Sequence, residues 1–279
     1  TQLGRPILGT VDSIKSMSRN AVFNYYKKRY LPQDLVVAVA GNIKHKKVVE
    51  MVERALSADD FLDVKGAPQI RGNEIMRKVK QRPVGIITRK TEQAHMFYGM
   101  EGVARHDDRR FAMGILASAL GGGMSSRLFQ EIREKRGLAY SVYAYAQQFA
   151  GSGQIGFYAG CNPTKAIEVI EIIRQVLSDV AEHGMTHEEI NRAKGAVRGS
   201  LVLSQEDSGS RMSRIGKNEI VYGHVMGFDE ILQEISSVTH EDVRKVASEF
   251  LTKTPTLALV GPFKNESTFE KVLAKGSYR

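Results

Sequence analysis

The sequence is poor in the residues that staple or anchor a chain: it has one cysteine, Cys161, and no tryptophan. A single thiol cannot close an intramolecular disulfide, and no Cys/His pairing has zinc-finger spacing. A secreted disulfide scaffold is therefore excluded and a reducing compartment is favoured. No apolar run approaches the roughly 18 residues of a membrane span, so no membrane partner is expected. The start, Thr1-Gln2-Leu3-Gly4-Arg5-Pro6, has neither an initiator Met nor a basic-then-apolar leader, which reads as a fragment of a longer product. What remains is ordinary globular material: 279 residues, 42% hydrophobic and 25% charged, enough for one to two domains with their own core.

Charge of one sign is also nowhere concentrated. Forty Lys plus Arg against 31 Asp plus Glu give +9. Residues 1–75 carry 12 basic and 8 acidic side chains, so the excess is shared between the two ends of the chain. The one local cluster, Arg71, Arg77, Lys78, Lys80, Arg82, Arg89 and Lys90, is broken by apolar residues and has no interleaved aromatic platforms. It reads as a solvated edge strand, and no nucleic-acid partner is expected.

A long-range repeat organises the chain. Ile14 to Gly41 and Ile235 to Gly261 share a Ser/Thr cap (Ser18, Thr239), a Val four residues on (Val22, Val243), a helical stretch, a breaker (Pro32, Pro255), an apolar strand and a final Gly, at an offset of 220–221 residues. Each copy ends in a further amphipathic helix, His45 to Leu56 with Val48, Val49, Val52 and Leu56 on one face, and Ser267 to Leu273. The expected organisation is thus residues 1–56 as the C-terminal part of a first domain, 57–77 as a linker rich in Asp, Gly and Pro, and 78–279 as a complete second domain. On this reading, on the order of 140 residues lie upstream, because a partial repeat unit cannot bury its own core.

Within 78–279, Val84–Thr88 and Ala94–Met100 alternate as strands, and Tyr140–Tyr145 and Gln154–Ala159 form an antiparallel pair around Ala150-Gly-Ser-Gly153. Helices are predicted over Asp107–Leu120, from Ser125 or Ser126 to Lys135, from Thr164 with a stripe of Ile167, Ile170, Ile173 and Leu177, and from Thr186 with Ile190, Ala193, Val197 and Leu201. The fold class is α+β, tandem domains of mainly antiparallel sheet packed with helices, the first domain truncated.

Candidate chemistry is sparse. His183 and His187 have the i, i+4 spacing of metal ligands, but Gly184 lies between them and Thr186-x-x-Glu189 is a capping box, which puts His183 in the preceding loop and makes His187 a cap residue. His45, His95, His106, His224 and His240 are isolated and read as cap, surface or packing residues. Gly121-Gly-Gly-Met-Ser-Ser126 lacks the Lys-Ser/Thr ending of a phosphate loop and reads as a helix end followed by a serine cap. Arg133 and Tyr140 sit either side of a helix-to-strand junction at Gly137. There a guanidinium and a phenol can converge on a peptide carbonyl, one as a multi-donor cation and the other as a hydroxyl donor; the competing reading is a surface Arg beside a core-edge Tyr.

The stretch from Gly121 through Arg133-Glu-Lys-Arg-Gly-Leu-Ala-Tyr140 to Tyr143 resembles the second-domain signature of the pitrilysin/insulinase-type zinc metallopeptidases, the inverzincins, a group that includes the mitochondrial processing peptidase. Gly4–Gly9 through Gly41-Asn42 resembles the end of the family's first domain, and Ala258–Pro262 the end of the second. The resemblance implies that Arg133 and Tyr140 bind substrate and transition state. It also implies that zinc and general base belong to an inverted His-x-x-Glu-His motif in the first domain. No His-x-x-Glu-His occurs in this sequence. The implied function is the C-terminal, substrate-binding portion of a zinc-dependent endopeptidase that acts on peptides, with Zn²⁺ in the intact protein and neither metal nor activity in this chain. The alternative is a non-catalytic substrate-binding or structural subunit of a two-chain, processing-peptidase-like assembly. Expected partners are peptide substrates, the missing N-terminal half or a partner subunit, and a second copy in a homodimer. The expected compartment is a bacterial cytoplasm, with a mitochondrial matrix as the alternative.

Overall fold

A computed structural model describes residues 2–66 and 82–274. Most of the linker expected at 57–77, and with it Arg71, Arg77, Lys78 and Lys80, lies outside the described residues. Contacts divide the chain into two units, one joining the N-terminal residues with Leu201–Gly227, the other joining the middle of the chain up to Ser200 with the stretch from Phe228 onwards.

In chain order the elements are α1 (Val11–Lys15), α2 (Arg19–Arg29), α3 (His45–Leu56), β1 (Val84–Thr88), β2 (Ala94–Gly102), α4 (Arg110–Gly121), a π-helix (Phe129–Glu134), β3 (Ala139–Gln148), β4 (Gly153–Cys161), α5 (Ala166–His183), α6 (His187–Leu203), α7 (Ser208–Tyr222), α8 (Phe228–Ser237), α9 (His240–Phe250), β5 (Thr256–Gly261) and α10 (Glu266–Ala274).

In the second unit, five strands form one sheet in the order β1-β5-β2-β4-β3. All neighbours are antiparallel except β1 and β5, which run parallel in the register Ile86 to Leu259. The α+β architecture read from the sequence is therefore present, with one parallel pair at the sheet's edge. Alternation in β2 sends Met96, Tyr98 and Met100 inward, where Phe157, Ile155, Leu257 and Leu259 meet them from the neighbouring strands. Helices close the core with Met113, Leu116 and Leu120 of α4, Val169, Ile170, Ile173 and Leu177 of α5, and Val243, Val246 and Phe250 of α9. Ile167, placed on the α5 stripe from its spacing, is exposed; Val169 and Val180 take that face instead.

Local signals set the element ends. Asn162 accepts from the Thr164 amide and Pro163 follows it, opening a 3₁₀ turn that leads into α5. Thr186 and Glu189 exchange the two bonds of a capping box, Thr186 N to Glu189 Oε2 at 2.8 Å and Glu189 N to Thr186 Oγ1 at 3.2 Å. Gly121 allows α4 to lie on β3, since a Cβ there would come within 2.2 Å of the Ala144 nitrogen.

The first unit behaves differently. Ser18 caps α2 as expected, accepting from Ala21 N at 3.2 Å. Leu35–Gly41, expected as a strand, pairs with nothing among the described residues and has no regular structure. A strand consists of its ladder, and without a neighbour the backbone groups stay with water. None of α1, α2, α3 and α7 contains a buried residue. Val22, the repeat counterpart of the buried Val243, is accordingly exposed. Residues 58–63, expected as aperiodic linker, form a 3₁₀ helix.

Candidate functional site

Arg133 lies on the π-helix, where the periodicity had suggested a continuous α-helix from Ser125 or Ser126 to Lys135. The backbone bond from Lys135 N to Gln130 O, at 3.0 Å, spans five residues and marks the wider turn. Glu131 holds Lys135 at 2.5 Å and Arg136 at 2.6 Å, and these hydrogen bonds keep its carboxyl below the ordinary glutamate range. The two cations that follow Arg133 are therefore directed to Glu131. The segment ends at Gly137, whose φ of 61° is in the left-handed region that a Cβ disfavours.

The chain then enters β3, an edge strand. The pairing of β3 with β4 shifts register between Ala139 and Ser141, which leaves Tyr140 as a bulge residue. Tyr140 is 75% exposed. Arg133 reaches this bulge: Nη1 donates to the Tyr140 carbonyl oxygen at 2.7 Å, and the guanidinium carbon lies 5.0 Å from the Tyr140 ring centroid. The structure thus brings together the two residues singled out from the sequence. The Tyr140 side chain, as opposed to its backbone, has no hydrogen bond among the described residues and points its phenol to solvent.

The histidines are placed as follows. His183 ends α5 rather than lying in a loop, with Nδ1 3.1 Å from Asp179 Oδ1. His187 begins α6 and stacks on His240 at 4.1 Å, and His240 Nε2 is 2.6 Å from the Met185 carbonyl. His95 Nδ1 is 2.7 Å from Tyr158 Oη. His224 Nδ1 is 3.3 Å from the Tyr222 carbonyl, and His45 opens α3. Among the described residues, no group of three or more His, Cys, Asp or Glu is placed to hold a metal ion. Cys161 is buried, and that burial pushes its thiol up to about 11, away from reactive thiolate.

An open cleft of about 550 Å³ also borders the π-helix and includes Arg127, Glu131, Asp179, Glu189 and Arg192. Sequence reading had not singled out its central pair. Arg127 grips Glu189 through Nε and Nη2, at 2.7 and 2.6 Å, and Asp179 through Nη1 at 2.9 Å. Burial pushes the Glu189 carboxyl up, but the bonds from Arg127 and Thr186 outweigh it and leave it below its ordinary value. Each cation here already has a carboxylate, which makes the cleft a structural joint between helices. An Arg at the start of one helix and a capping-box Glu far along the chain carry no spacing signal.

Comparison with known proteins identifies the architecture. The family described as the peptidase M16 inactive domain matches residues 16–197. The chain belongs to this family, in agreement with the resemblance read from its motifs. A protein named an uncharacterized zinc protease in Streptomyces coelicolor is 50% identical over 265 residues, which is 95% of this chain and 58% of that protein. The uncharacterized zinc protease YmxG of Bacillus subtilis is 35% identical, over 94% of this chain and 62% of its own length. The chain thus spans about three-fifths of the length of these relatives. A protease from Helicobacter pylori shares the fold with a TM-score of 0.76 at 20% identity, covering 91% of this chain and 61% of that one. A chain of Complex III2 from Candida albicans, with Inz-5 bound, does so at 0.80 and 17%, covering 97% and 66%. Among the described residues, no helix is long and apolar enough to cross a membrane.

Proposed function

We propose that this chain is the peptide-binding, C-terminal portion of a zinc-dependent endopeptidase, and that Arg133 and Tyr140 are its substrate contacts. The observation that carries the reading is the bulge at Tyr140: an edge strand presents an exposed phenol whose hydroxyl has no hydrogen bond among the described residues, while Arg133 fixes the backbone beneath it. A phenol in that position donates one hydrogen bond to a peptide carbonyl and strengthens it as negative charge grows on the oxygen. The Arg133 side chain, still 38% exposed, has further N–H groups and a fixed positive charge for the same peptide.

Zinc does not fit the described residues, among which no three His, Cys, Asp or Glu are placed together to hold a metal ion. The reading assigns the metal to chain outside these residues, consistent with relatives that carry the name zinc protease and are longer than this chain. It keeps residues 1–56 as the tail of a first domain, 57–77 as linker and 78–279 as the second domain, with Leu201–Gly227 making its contacts in the first unit.

The test is to restore the longer protein and measure peptide cleavage and melting temperature side by side. Tyr140→Phe is expected to slow turnover roughly 10²-fold, as for loss of one oxyanion-type donor, on an unchanged melting temperature. Arg133→Ala is expected to weaken binding and turnover together. Unaltered cleavage in both variants would sink the reading. A second reading, a non-catalytic subunit of a two-chain assembly, is favoured by the matched family's description as an inactive domain. It predicts a longer protein without His-x-x-Glu-His that cleaves nothing until a partner subunit is added.

A further inference from the structure

Phe129 had no part in the sequence reading and is not exposed to substrate, being 8% accessible. It stands four residues before Arg133 on the π-helix, and the Arg133 guanidinium carbon lies 4.8 Å from its ring centroid. The same carbon lies 5.0 Å from the Tyr140 ring, and Nη1 is bonded to the Tyr140 carbonyl. The cation is therefore held on two aromatic faces and one backbone acceptor. Lys135 and Arg136, which could compete for those rings, are drawn to Glu131. Glu134, the carboxylate nearest in sequence, approaches Arg133 only to 4.0 Å.

We infer that Phe129 is a positioning residue for the Arg133–Tyr140 pair: its buried ring fixes the guanidinium on the Tyr140 bulge, so that cation and phenol face a peptide already aligned. This rests on the reading of the pair as the peptide site. An arginine loses the rotamer freedom of a long side chain when it binds, and a cation already seated on aromatic faces has lost it beforehand. The contact is electrostatic, between positive charge and the negative face of the ring. It should weaken with the ring's electron density even when the shape is kept.

That separates it from packing. The ring at 129 is replaced by 4-fluoro- and then 3,4,5-trifluorophenylalanine, with Phe129→Leu as the limit and Phe129→Met as a second aliphatic variant should the first fold poorly. In the chain as it stands, the Arg133 Nε–H resonance is expected to move downfield in the aliphatic variants, losing the Phe129 part of its ring-current shift and keeping that of Tyr140. Rotation about the Arg133 Cζ–Nε bond should quicken stepwise along the fluorine series. In the longer zinc-loaded protein, kcat/KM should fall stepwise, reaching roughly 3- to 10-fold in the aliphatic variant, mostly through KM. An unchanged Arg133 resonance in the aliphatic variants, or rotation and cleavage indifferent to fluorination, overturns the positioning role. If the resonance responds but Arg133→Ala cleaves normally, the peptide-site reading fails, and the role for catalysis falls with it while the cation–π contact stands.

Discussion

The two copies of the repeat are written in nearly the same code and end in opposite environments. Ser18 and Thr239 cap their helices with the same side-chain-to-amide bond, at 3.2 and 3.1 Å. Four residues on, Val22 is 50% exposed and Val243 is 0%. At the apolar run, Val37 is 52% exposed whereas its counterpart Leu257 is 0%, lying between β1 and β2. Helix, cap and breaker form in both copies because their bonds close within a few residues. The strand forms only where a ladder exists to receive it. The apolar code of the first copy is thus a demand for partners, and the second copy shows what partners of that kind do.

The sharpest way to test the contrast is to truncate matched positions. Leu257→Ala removes a fully buried side chain from a central strand and is expected to cost about 2–5 kcal/mol. Val37→Ala removes atoms already about half exposed to water and is expected to cost less than about 0.5 kcal/mol. Urea titrations of both variants give the comparison directly. Equal losses would mean that the first copy is buried in solution, and a midpoint that moves with protein concentration would then identify self-association as the cause.

The same contrast explains what was legible beforehand. The helix at His45–Leu56, the hairpin around 150–153 and the Thr186–Glu189 box all rest on local chemistry and were legible in the sequence, the hairpin's strands running two to three residues further than expected at their C-terminal ends. Arg133 and Tyr140 were legible through family motifs, and the junction at Gly137 through turn chemistry. The strand at 35–41 was misjudged because alternation and apolarity report fitness for a sheet, not the presence of one. The π-turn was hidden because a single wide turn changes no residue preference. Arg127 with Glu189, and Phe129 beneath Arg133, depend on what tertiary packing or a rare turn brings side by side.

A second, smaller effect sharpens the comparison electrostatically. In the second unit the Glu189 carboxylate is largely shielded from solvent, bound by Arg127 and by the Thr186 amide, and its folded-state value is depressed below the ordinary 4.5. A depressed carboxylate contributes stability that is complete above its unfolded value and is lost as pH falls through its folded one. The stability of the second unit against unfolding should therefore fall as pH drops below roughly 4.5. Glu189→Gln should cost about 1–3 kcal/mol at neutral pH and flatten that acid limb. Melting curves between neutral and acid pH decide it, and an acid limb unchanged in Glu189→Gln would assign the loss to other carboxylates such as Glu131 and Asp107, which are depressed in the same way.

The smallest effects should be those that the two copies share. Thr239 has the full capping box, its amide and hydroxyl bonded to Asp242 at 2.8 and 2.6 Å, while Ser18 has only the forward bond to Ala21. Removing a cap leaves an amide at the helix start without its partner, a local loss that does not require the helix to be buried. Thr239→Ala is expected to cost about 1–2 kcal/mol, and Ser18→Ala about 0.5–1 kcal/mol. Far-UV circular dichroism during urea titration reads both, since each change frays one helix. If Ser18→Ala were silent while Thr239→Ala was not, then α2, which has no buried face, would already be frayed at that end, and the likeness of the two copies would stop at the sequence. Equal modest losses would show that the caps set these helices in both environments, with burial deciding only what is built upon them.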